Sequence, residues 1–524
     1  MKIAIAAIVL ALAGTTVPVL CGAQPIRPVN WLADVTTLDP HQGLDLSANY
    51  FQVNLYDTLY RHEDDPAVMQ PWLARSHTMS ADGKVWEFKL RDGVKFHDGS
   101  PLTAEDVVYS FQRAIAIRRG AGALFAPILK PENIVALDPL TVRFTLDSAF
   151  GPFLNGVPTV SIVNARLVRK NTVGNDWGAA WLGSNEAGSG AYTLAPGSFK
   201  PSAAAELRRF DGHFLGWADN PRAPNVVYAR PFGSSASAAM AVISGSADVT
   251  NTYMEGEDID RIQASRTAVV KKNDSMRNSF IHINNTKPPL DNKNFRKCLS
   301  YAFNYDAMGA VFKNTTVRNP TPLPTGMWGI PSDVKGYTYD LKKAKEFCDK
   351  ARAEGAPVDR ELDFYAMATI DAVSVTAQLY QGELQKIGVK LKVITQPWSN
   401  IIGSTAKPES SPDLWMSWIA QYYPDPDNWL GQTYDSAAHG SWRGSAYYKN
   451  AKVDDLLRKA RGLQDQAQRA PLYEQAVRQI VDDAPAIWVF KSLDIRGMSK
   501  RVEEGYRYSS IHYGNEMRWL KVKN

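Results

Sequence analysis

The chain has 524 residues, of which 22% are charged and 44% hydrophobic, and it contains 14 Trp, 22 Tyr and 19 Phe. At roughly 150 residues per domain, this length indicates about three to four domains, and the composition excludes a disordered, collagen-like or small disulfide-stapled protein. The formal net charge of +5 is spread along the chain without a dense basic block. The charge therefore indicates no nucleic-acid partner.

The first 23 residues are typical of a signal peptide. A nearly unbroken apolar run extends from Ile3 to Leu20, and the small residues at Cys21 and Ala23 suit a cleavage site that leaves Gln24 as the first mature residue. The run is at the short end for a membrane span. Lipid attachment to Cys21 is disfavoured, because Leu20 stands where a small residue is needed. We therefore predict an exported, periplasmic protein.

Short strand-like runs alternate with helical segments along the remaining chain, which predicts an α/β fold. The predicted strands are Val29–Ala33, Val85–Leu90, Thr141–Leu146, Ser279–Ile283, Lys390–Ile394 and Leu414–Ile419. The predicted helices are Thr103–Ile117 (with a Thr103/Asp106 capping box), Leu290–Val311, Asp340–Gly355, Val373–Ile387 and Asp454–Asp482. The Gly-, Ser- and Pro-rich stretches at 183–190 and 320–331 are predicted to be surface loops.

Two cysteines, Cys298 and Cys348, would remain after signal cleavage. An oxidising export compartment would allow them to pair. Each lies at helical spacing with apolar neighbours, such as Phe295 and Leu299 around Cys298, which favours two buried thiols instead.

The sequence lacks the common motifs of catalysis and cofactor binding. It has no G-x-S-x-G elbow, no H-E-x-x-H helix, no G-x-x-x-x-G-K-[ST] or G-x-G-x-x-G loop and no C-x-x-C pair, and its eight histidines are scattered. For a chain of this length, the pattern favours binding over catalysis. We predict no catalytic residue, no metal site and no cofactor.

Several longer segments resemble a known family. They are YDTLYRHEDD from Tyr56, QPWLARSHTMSADGKVWEFKLRDGVKFHDGSPLTAEDVVYSFQRA through Ala114, GSGAYTL at 188–194, FIHINNTKPPLDNKNFRKCLSYAFNY at 280–305 and YPDPDNWL at 423–430. In this order they are similar to the family 5 solute-binding proteins, the extracytoplasmic receptors of peptide, nickel and opine ABC importers. The resemblance covers essentially the whole mature chain.

The resemblance implies a periplasmic binding protein type II fold, in which two lobes close around a ligand about a hinge and an extra subdomain is inserted in the first lobe. The expected divisions are a signal peptide at 1–23, lobe I at 24–65, 188–280 and 491–524, an inserted subdomain at 66–187, and lobe II at 281–490. The hinge is expected at the two crossovers near 279–285 and 486–492.

The resemblance also implies the function and the partners. A monomeric receptor would capture a small solute, a peptide or an amino-acid derivative, and deliver it to the membrane permease subunits of an ABC importer. The alternative ligands are an opine, a sugar or a sugar phosphate. Nickel is disfavoured because the expected cleft has no histidine cluster, and a secreted hydrolase or chaperone-like protein would need groups that the sequence does not identify.

In similar proteins the cleft residues come from the loop after the LDP motif, from the segment before the second-lobe helices and from the stretch around the D-P-D-N turn. Together with two residues before the expected hinge, the candidate ligand-binding residues are Leu44, Asp45, Leu46, Arg277, Asn278, Trp398, Trp418, Gln421, Tyr422, Tyr423, Asp425, Trp429, Ser441, Trp442 and Arg443.

Gln421 bears most directly on the ligand. Peptide binders of this family often have an aspartate three residues after a tryptophan, where it pairs with the α-amino group of the ligand, but this chain has Gln421 after Trp418. A glutamine carries no charge, so charge-assisted recognition of an amine is missing unless Asp425 or Asp427 supplies it. The alternative role for these two aspartates is an Asx turn.

Two arginines are candidates for binding an anion. Arg443 could hold a carboxylate or phosphate through two parallel hydrogen bonds, or it could be a solvated surface residue. Arg277 is the second candidate. About half of the aromatic residues between Trp398 and Trp442 are expected to line the cleft and the others to belong to the core.

Overall fold

The structure, a computed structural model, describes residues 25–31, 35–42, 46–63, 68–252, 254–313, 315–368, 370–504, 507 and 516–523. The predicted signal peptide lies outside these ranges. Within them, no helix has the length and apolar character that crossing a bilayer requires.

Helices and strands alternate throughout the described chain, so the predicted α/β class is confirmed. The strands are β1 (Ile26–Trp31), β2 (Tyr60–Glu63), β3 (Val68–Pro71), β4 (Ala74–Met79), β5 (Val85–Leu90), β6 (Ile134–Asp138), β7 (Thr141–Thr145), β8 (Tyr192–Leu194), β9 (Ala205–Arg209), β10 (Val226–Pro231), β11 (Ala268–Asn273), β12 (Asn278–Ile283), β13 (Thr316–Arg318), β14 (Leu362–Met367), β15 (Leu391–Gln396), β16 (Leu414–Ile419), β17 (Ala486–Ser492), β18 (Asp494–Ser499), β19 (Val502–Glu504) and β20 (Lys521–Val522). The α-helices are α1 (Leu46–Leu55), α2 (Ala104–Ile117), α3 (Ala121–Phe125), α4 (Phe153–Gly156), α5 (Ala165–Lys170), α6 (Ala179–Leu182), α7 (Ser235–Ser244), α8 (Gly256–Ala264), α9 (Lys293–Ala302), α10 (Tyr305–Val311), α11 (Leu341–Ala353), α12 (Asp371–Gln385), α13 (Trp398–Ser404), α14 (Asp427–Thr433), α15 (Ala451–Gly462) and α16 (Gln466–Asp483).

Three larger sheets organise the described chain. The first has the order β1-β10-β9-β8, the second β4-β5-β7-β6, and the third, with six strands, β13-β17-β12-β16-β14-β15. The second sheet is antiparallel throughout. In the third, β14 runs parallel to both β15 and β16, whereas β12 runs antiparallel to β16 and β17. Strands from distant parts of the sequence therefore meet in one sheet.

Each large sheet has its own apolar core. One core gathers buried side chains between residues 280 and 490, a second those between 59 and 162, and a third side chains of the first sheet with helix α1 and residues near the C-terminus. Val163, Val168 and Leu182 pack in the third core, although they fall within the expected inserted subdomain. The domain boundaries themselves stay a prediction.

Two chain segments connect the small β11-β18 pair to the six-stranded sheet. Asp274–Arg277 joins β11 to β12, and Leu493 alone joins β17 to β18. A hydrogen bond joins the two chain segments at this point: the backbone N–H of Ser492, the last residue of β17, donates to the carbonyl of Arg277 at 2.9 Å. The crossovers expected at 279–285 and 486–492 coincide largely with strands β12 and β17, whose residues are all buried, and the position of the hinge stays a prediction.

Most predicted elements are present, with local differences. Strands Val85–Leu90 and Leu414–Ile419 have the predicted bounds, and helix α2 begins with the predicted capping box. The segment predicted as one helix from Leu290 to Val311 forms two helices, α9 and α10. An extended residue, Phe303, ends the first, and the side chain of Asn304 caps the second by accepting from the backbone N–H of Ala307 at 3.1 Å.

The prediction of a surface loop at 183–190 is wrong for its second half. Residues 187–190 are buried, and they lie against the end of helix α1. A Cβ atom on Gly188 would come within 1.8 Å of the Leu55 carbonyl oxygen, and one on Gly190 within 2.5 Å of that of Asn54. The glycines are there because the two backbones touch, which leaves no space for a side chain.

Cys298 and Cys348 form a disulfide, with an S–S distance of 2.10 Å. The expectation of two free buried thiols is therefore wrong. The helical spacing correctly predicted that both cysteines are buried, and both are at most 1% exposed. The spacing could not indicate that α9 and α11 pack side by side and bring their buried faces together. The disulfide is compatible with an oxidising compartment.

His97 is a mostly buried side chain that links distant segments. Its Nδ1 lies 2.8 Å from Glu186 Oε1 and its Nε2 lies 2.9 Å from the carbonyl oxygen of Gly190. Both partners are acceptors, so both ring nitrogens must carry protons. Burial opposes the charge, but the Glu186 carboxylate and the Gly190 carbonyl together raise the pKa of His97 above 6.5.

We expect this pair to make stability depend on pH. Charged His97 stabilises the folded protein fully below the pKa of the unfolded chain, and the contribution is lost as the pH rises through the higher folded-state pKa. The difference in free energy of unfolding between the wild type and His97→Gln should shrink as the pH rises from 6.5 through the folded-state pKa. Urea unfolding at several pH values measures it, with Glu186→Gln as the matched variant. A difference that stays constant over this range would contradict the prediction.

Candidate ligand-binding site

The candidate site lies at the carboxyl end of β16, near the middle of the six-stranded sheet. Because β12 runs antiparallel to β16, its first residue, Asn278, lies opposite Ile419, the last residue of β16. Beyond Ile419 the chain passes through residues 420–424 into residues 425–428, which we call the acidic turn. The last two residues of this turn are the first two residues of α14. The sheet thus brings Arg277 and Asn278 beside a segment more than a hundred residues further along the sequence.

Both aspartates of the acidic turn are ion-paired with arginines. Asp425 accepts hydrogen bonds from Arg469 at 2.7 and 2.8 Å, and the side chains of the pair are 0% and 4% exposed. Asp427 accepts from Nε of Arg461 at 2.5 Å. The backbone N–H of Asp427 donates to Asp425 Oδ1 at 3.0 Å, which is the Asx hydrogen bond. The two carboxylates therefore hold the turn against helices α15 and α16.

The guanidinium of Arg443 contacts only uncharged groups in the described chain. It donates to Gln432 Oε1 at 2.6 Å and to the carbonyl oxygens of Ala420 and Asn428 at 3.0 and 3.2 Å. It also lies over the ring of Tyr422, 4.1 Å from the centroid. No described carboxylate comes within 4.0 Å. Arg443 is 5% exposed, so it is not a solvated surface residue.

The remaining polar candidates are buried at the same end of the sheet. Gln421 is 1% exposed and Arg277 5% exposed. Arg277 Nη1 lies 3.3 Å from Thr252 Oγ1, on the other side of the β11–β12 connection. Asn278 has internal partners, since it donates to the carbonyl of Pro322 at 3.0 Å and accepts from Asn319 at 2.9 Å.

The aromatic candidates divide into two groups. Tyr423 and Trp429 are buried, as is Trp415. Four others are partly or well exposed and form an aromatic rim: Trp398, Trp418, Tyr422 and Trp442. Within this rim, the rings of Trp398 and Trp442 meet edge to face at 5.5 Å. An aromatic rim around a buried guanidinium can enclose a small ligand with a planar or apolar part.

Four candidate residues remain: Leu44, Asp45, Leu46 and Ser441. Leu44 and Asp45 lie outside the described residues, and Leu46 is the first residue of α1. Ser441 is exposed, and its hydroxyl donates to the carbonyl of Ala438 at 2.8 Å.

Two residues that the sequence did not single out shape the site. Asn428 is fully buried, and its Oδ1 accepts from the backbone N–H of Tyr422 at 3.0 Å, which fixes the chain before the acidic turn. Gln432, on α14, is the only side chain among the three acceptors of Arg443 described above. No sequence signal distinguishes either residue, because an uncharged amide in a short helix is compatible with many roles.

Residues 68–441 match the model of the bacterial extracellular solute-binding proteins, family 5 Middle. The chain belongs to this family. It is therefore an extracellular solute-binding protein, and its family binds solutes without a known catalytic role. The resemblance seen in the sequence is confirmed.

Relatives in the family span nearly the whole chain. The probable D,D-dipeptide-binding periplasmic protein DdpA of Escherichia coli (strain K12) is 28% identical over 498 residues, 93% of each chain. The dipeptide-binding protein of the same organism is 28% identical and covers 87% of this solute-binding protein and 86% of its own length. Heme-binding protein A of Haemophilus influenzae is 27% identical, with coverages of 90% and 87%.

Solved structures agree on the fold. The periplasmic binding protein DppA from Helicobacter pylori, in complex with the peptide STSA, has a TM-score of 0.84 at 24% identity and covers 96% of this chain and 99% of its own. AgaA from A. tumefaciens R10, in complex with agropinic acid, has a TM-score of 0.81 at 22% identity, with coverages of 95% and 99%. This solute-binding protein therefore has the expected two-lobed periplasmic binding protein type II fold.

Proposed function

We propose that this protein is a periplasmic receptor that captures a small peptide or amino-acid derivative and delivers it to the permease of an ABC importer, without chemical change. The observation that carries the proposal is similarity to periplasmic dipeptide-binding relatives over 93% of the chain. The site agrees with it, because Arg443 offers a buried positive charge of the kind that binds a ligand carboxylate. Closure of lobes I and II about residues 274–277 and 493 would bury the ligand.

The proposal is tested by mass spectrometry of the compound released when the purified protein is denatured, followed by calorimetry with that compound. Recovery of an unmodified peptide or amino-acid derivative that rebinds would support it. Recovery of a chemically altered compound after incubation with a candidate ligand would identify an enzyme instead.

A second ligand class is favoured by a specific observation. Gln421 is buried and uncharged, and both aspartates of the acidic turn are ion-paired, so no carboxylate of residues 418–428 is open to a ligand amine. An opine, a sugar or a sugar phosphate would suit such a surface, with the aromatic rim packing against its carbon frame. The same mass spectrum distinguishes these compounds from peptides.

Arg443→Ala should weaken an anionic ligand by about 1.5–3 kcal/mol, because a buried charge-assisted hydrogen bond is lost. Calorimetry with the released compound measures the change in Kd. Arg458→Ala, on the exposed face of α15, is the matched control and should leave Kd unchanged. Unaltered affinity of the Arg443 variant would remove Arg443 from the proposed site.

A further inference from the structure

The charged groups around Arg443 indicate the class of ligand more narrowly than membership of the protein family does. Residues 418–443 contain three carboxylates, Asp425, Asp427 and Asp435, and a single arginine, Arg443. All three carboxylates are paired with arginines from outside the segment: Arg469 binds Asp425, and Arg461 binds both Asp427 and Asp435, the latter at 2.5 Å. Arg443 alone is left with uncharged partners.

Gln432 lies between Arg443 and an acidic group formed by Asp427, Asp435 and Arg461. Arg461 is shared by two aspartates, so that group carries more acid than base. A chain of hydrogen bonds leads from it to Arg443: Tyr423 donates to Asp427 at 3.1 Å, Gln432 Nε2 donates to the Tyr423 hydroxyl at 3.3 Å, and Arg443 donates to Gln432 Oε1 at 2.6 Å. The link that touches Arg443 is a neutral amide, which positions the guanidinium without neutralising it.

We propose that Gln432 is a positioning residue that keeps the charge of Arg443 available, and that the site therefore selects an anionic ligand whose amine is absent or acylated. This inference rests on the proposed function, since it concerns the same site. A ligand carboxylate or phosphate would meet the guanidinium, whereas a free ammonium group would find no open carboxylate in residues 418–443 and would lose hydration without compensation.

The ligand preference is tested with three probes that differ in which terminal charge they carry: dialanine has both, N-acetyl-dialanine has only the carboxylate, and dialanine amide has only the ammonium group. In calorimetry, the wild type should bind N-acetyl-dialanine at least as tightly as dialanine and should bind the amide at least about tenfold more weakly, because a charge-assisted contact is lost. A tenfold or greater preference for dialanine over its acetylated form would overturn the inference while leaving the proposed function intact. If the wild type binds none of the probes, the compound released on denaturation decides: a released compound without a carboxylate or phosphate would overturn this inference and leave the receptor function intact.

The role of Gln432 is tested by Gln432→Glu, which retains the shape and the acceptor, loses the Nε2 donor to the Tyr423 hydroxyl and brings a carboxylate to Arg443. We expect the melting temperature to be unchanged or higher, and affinity for N-acetyl-dialanine to fall by about 10- to 100-fold. Gln432→Met removes the hydrogen bond without adding charge and should lose less affinity than Gln432→Glu. The exposed Gln468→Glu adds the same charge elsewhere and should change nothing. Wild-type affinity in Gln432→Glu, or an equal loss in Gln432→Met, would show that the charge of Arg443 is not kept for the ligand.

Discussion

Replacing Arg469 by methionine should lower the free energy of unfolding by about 3–5 kcal/mol, the cost of leaving a buried carboxylate without its partner. Asp425 would retain the backbone N–H of Asp427 but lose both hydrogen bonds from the guanidinium. Arg469 also donates to the Ala460 carbonyl at 2.9 Å and to the Tyr473 hydroxyl at 3.0 Å. The variant therefore loses the link between α16 and the acidic turn.

Urea unfolding of the variant and the wild type measures this loss. The double variant Asp425→Asn/Arg469→Met is the matched control, because asparagine can still accept from Asp427 and leaves no buried charge. It should recover part of the stability that the single variant loses. A single-variant loss below about 1 kcal/mol would mean that the ion pair does not hold the turn. Because the turn supports Asn428 and its contact to Arg443, ligand affinity should fall as well.

The double variant Cys298→Ala/Cys348→Ala should lower the free energy of unfolding by about 4 kcal/mol. The disulfide joins residues 50 positions apart in the sequence, and it stabilises the protein by reducing the conformational entropy of the unfolded chain. The bond joins α9 to α11 within the apolar core formed between residues 280 and 490. The loss should therefore appear as easier unfolding of this part of the protein, measured by urea denaturation under non-reducing conditions.

Two measurements complement the disulfide prediction. In the mature protein beginning at Gln24, denatured without a reductant, a thiol reagent should modify neither Cys298 nor Cys348, and after reduction it should modify both. The single variant Cys298→Ala keeps one thiol and should be about as unstable as the double variant. Two reactive thiols in the unreduced mature protein would show that the cysteines are not bonded.

Local patterns predicted the helices and strands well, but they did not predict the contacts among the candidate site residues. Alternation of apolar residues gave Val85–Leu90 its bounds, and Thr103 with Asp106 marked the start of α2, because these signals depend on neighbours in the sequence. Burial of the cysteines was also visible in helical spacing. Their bonding was not, because it depends on which helix faces lie together.

The sequence by itself determined the family, the α/β class and the segments that carry the candidate site. These depend on residue order and on local periodicity, both of which are written in the chain. Only the tertiary structure decided that Asp425 and Asp427 are ion-paired and that Arg443 is buried among uncharged groups. The physical reason is distance along the chain: Arg469 lies 44 residues from Asp425, and no local pattern indicates which of many arginines will neutralise a given carboxylate.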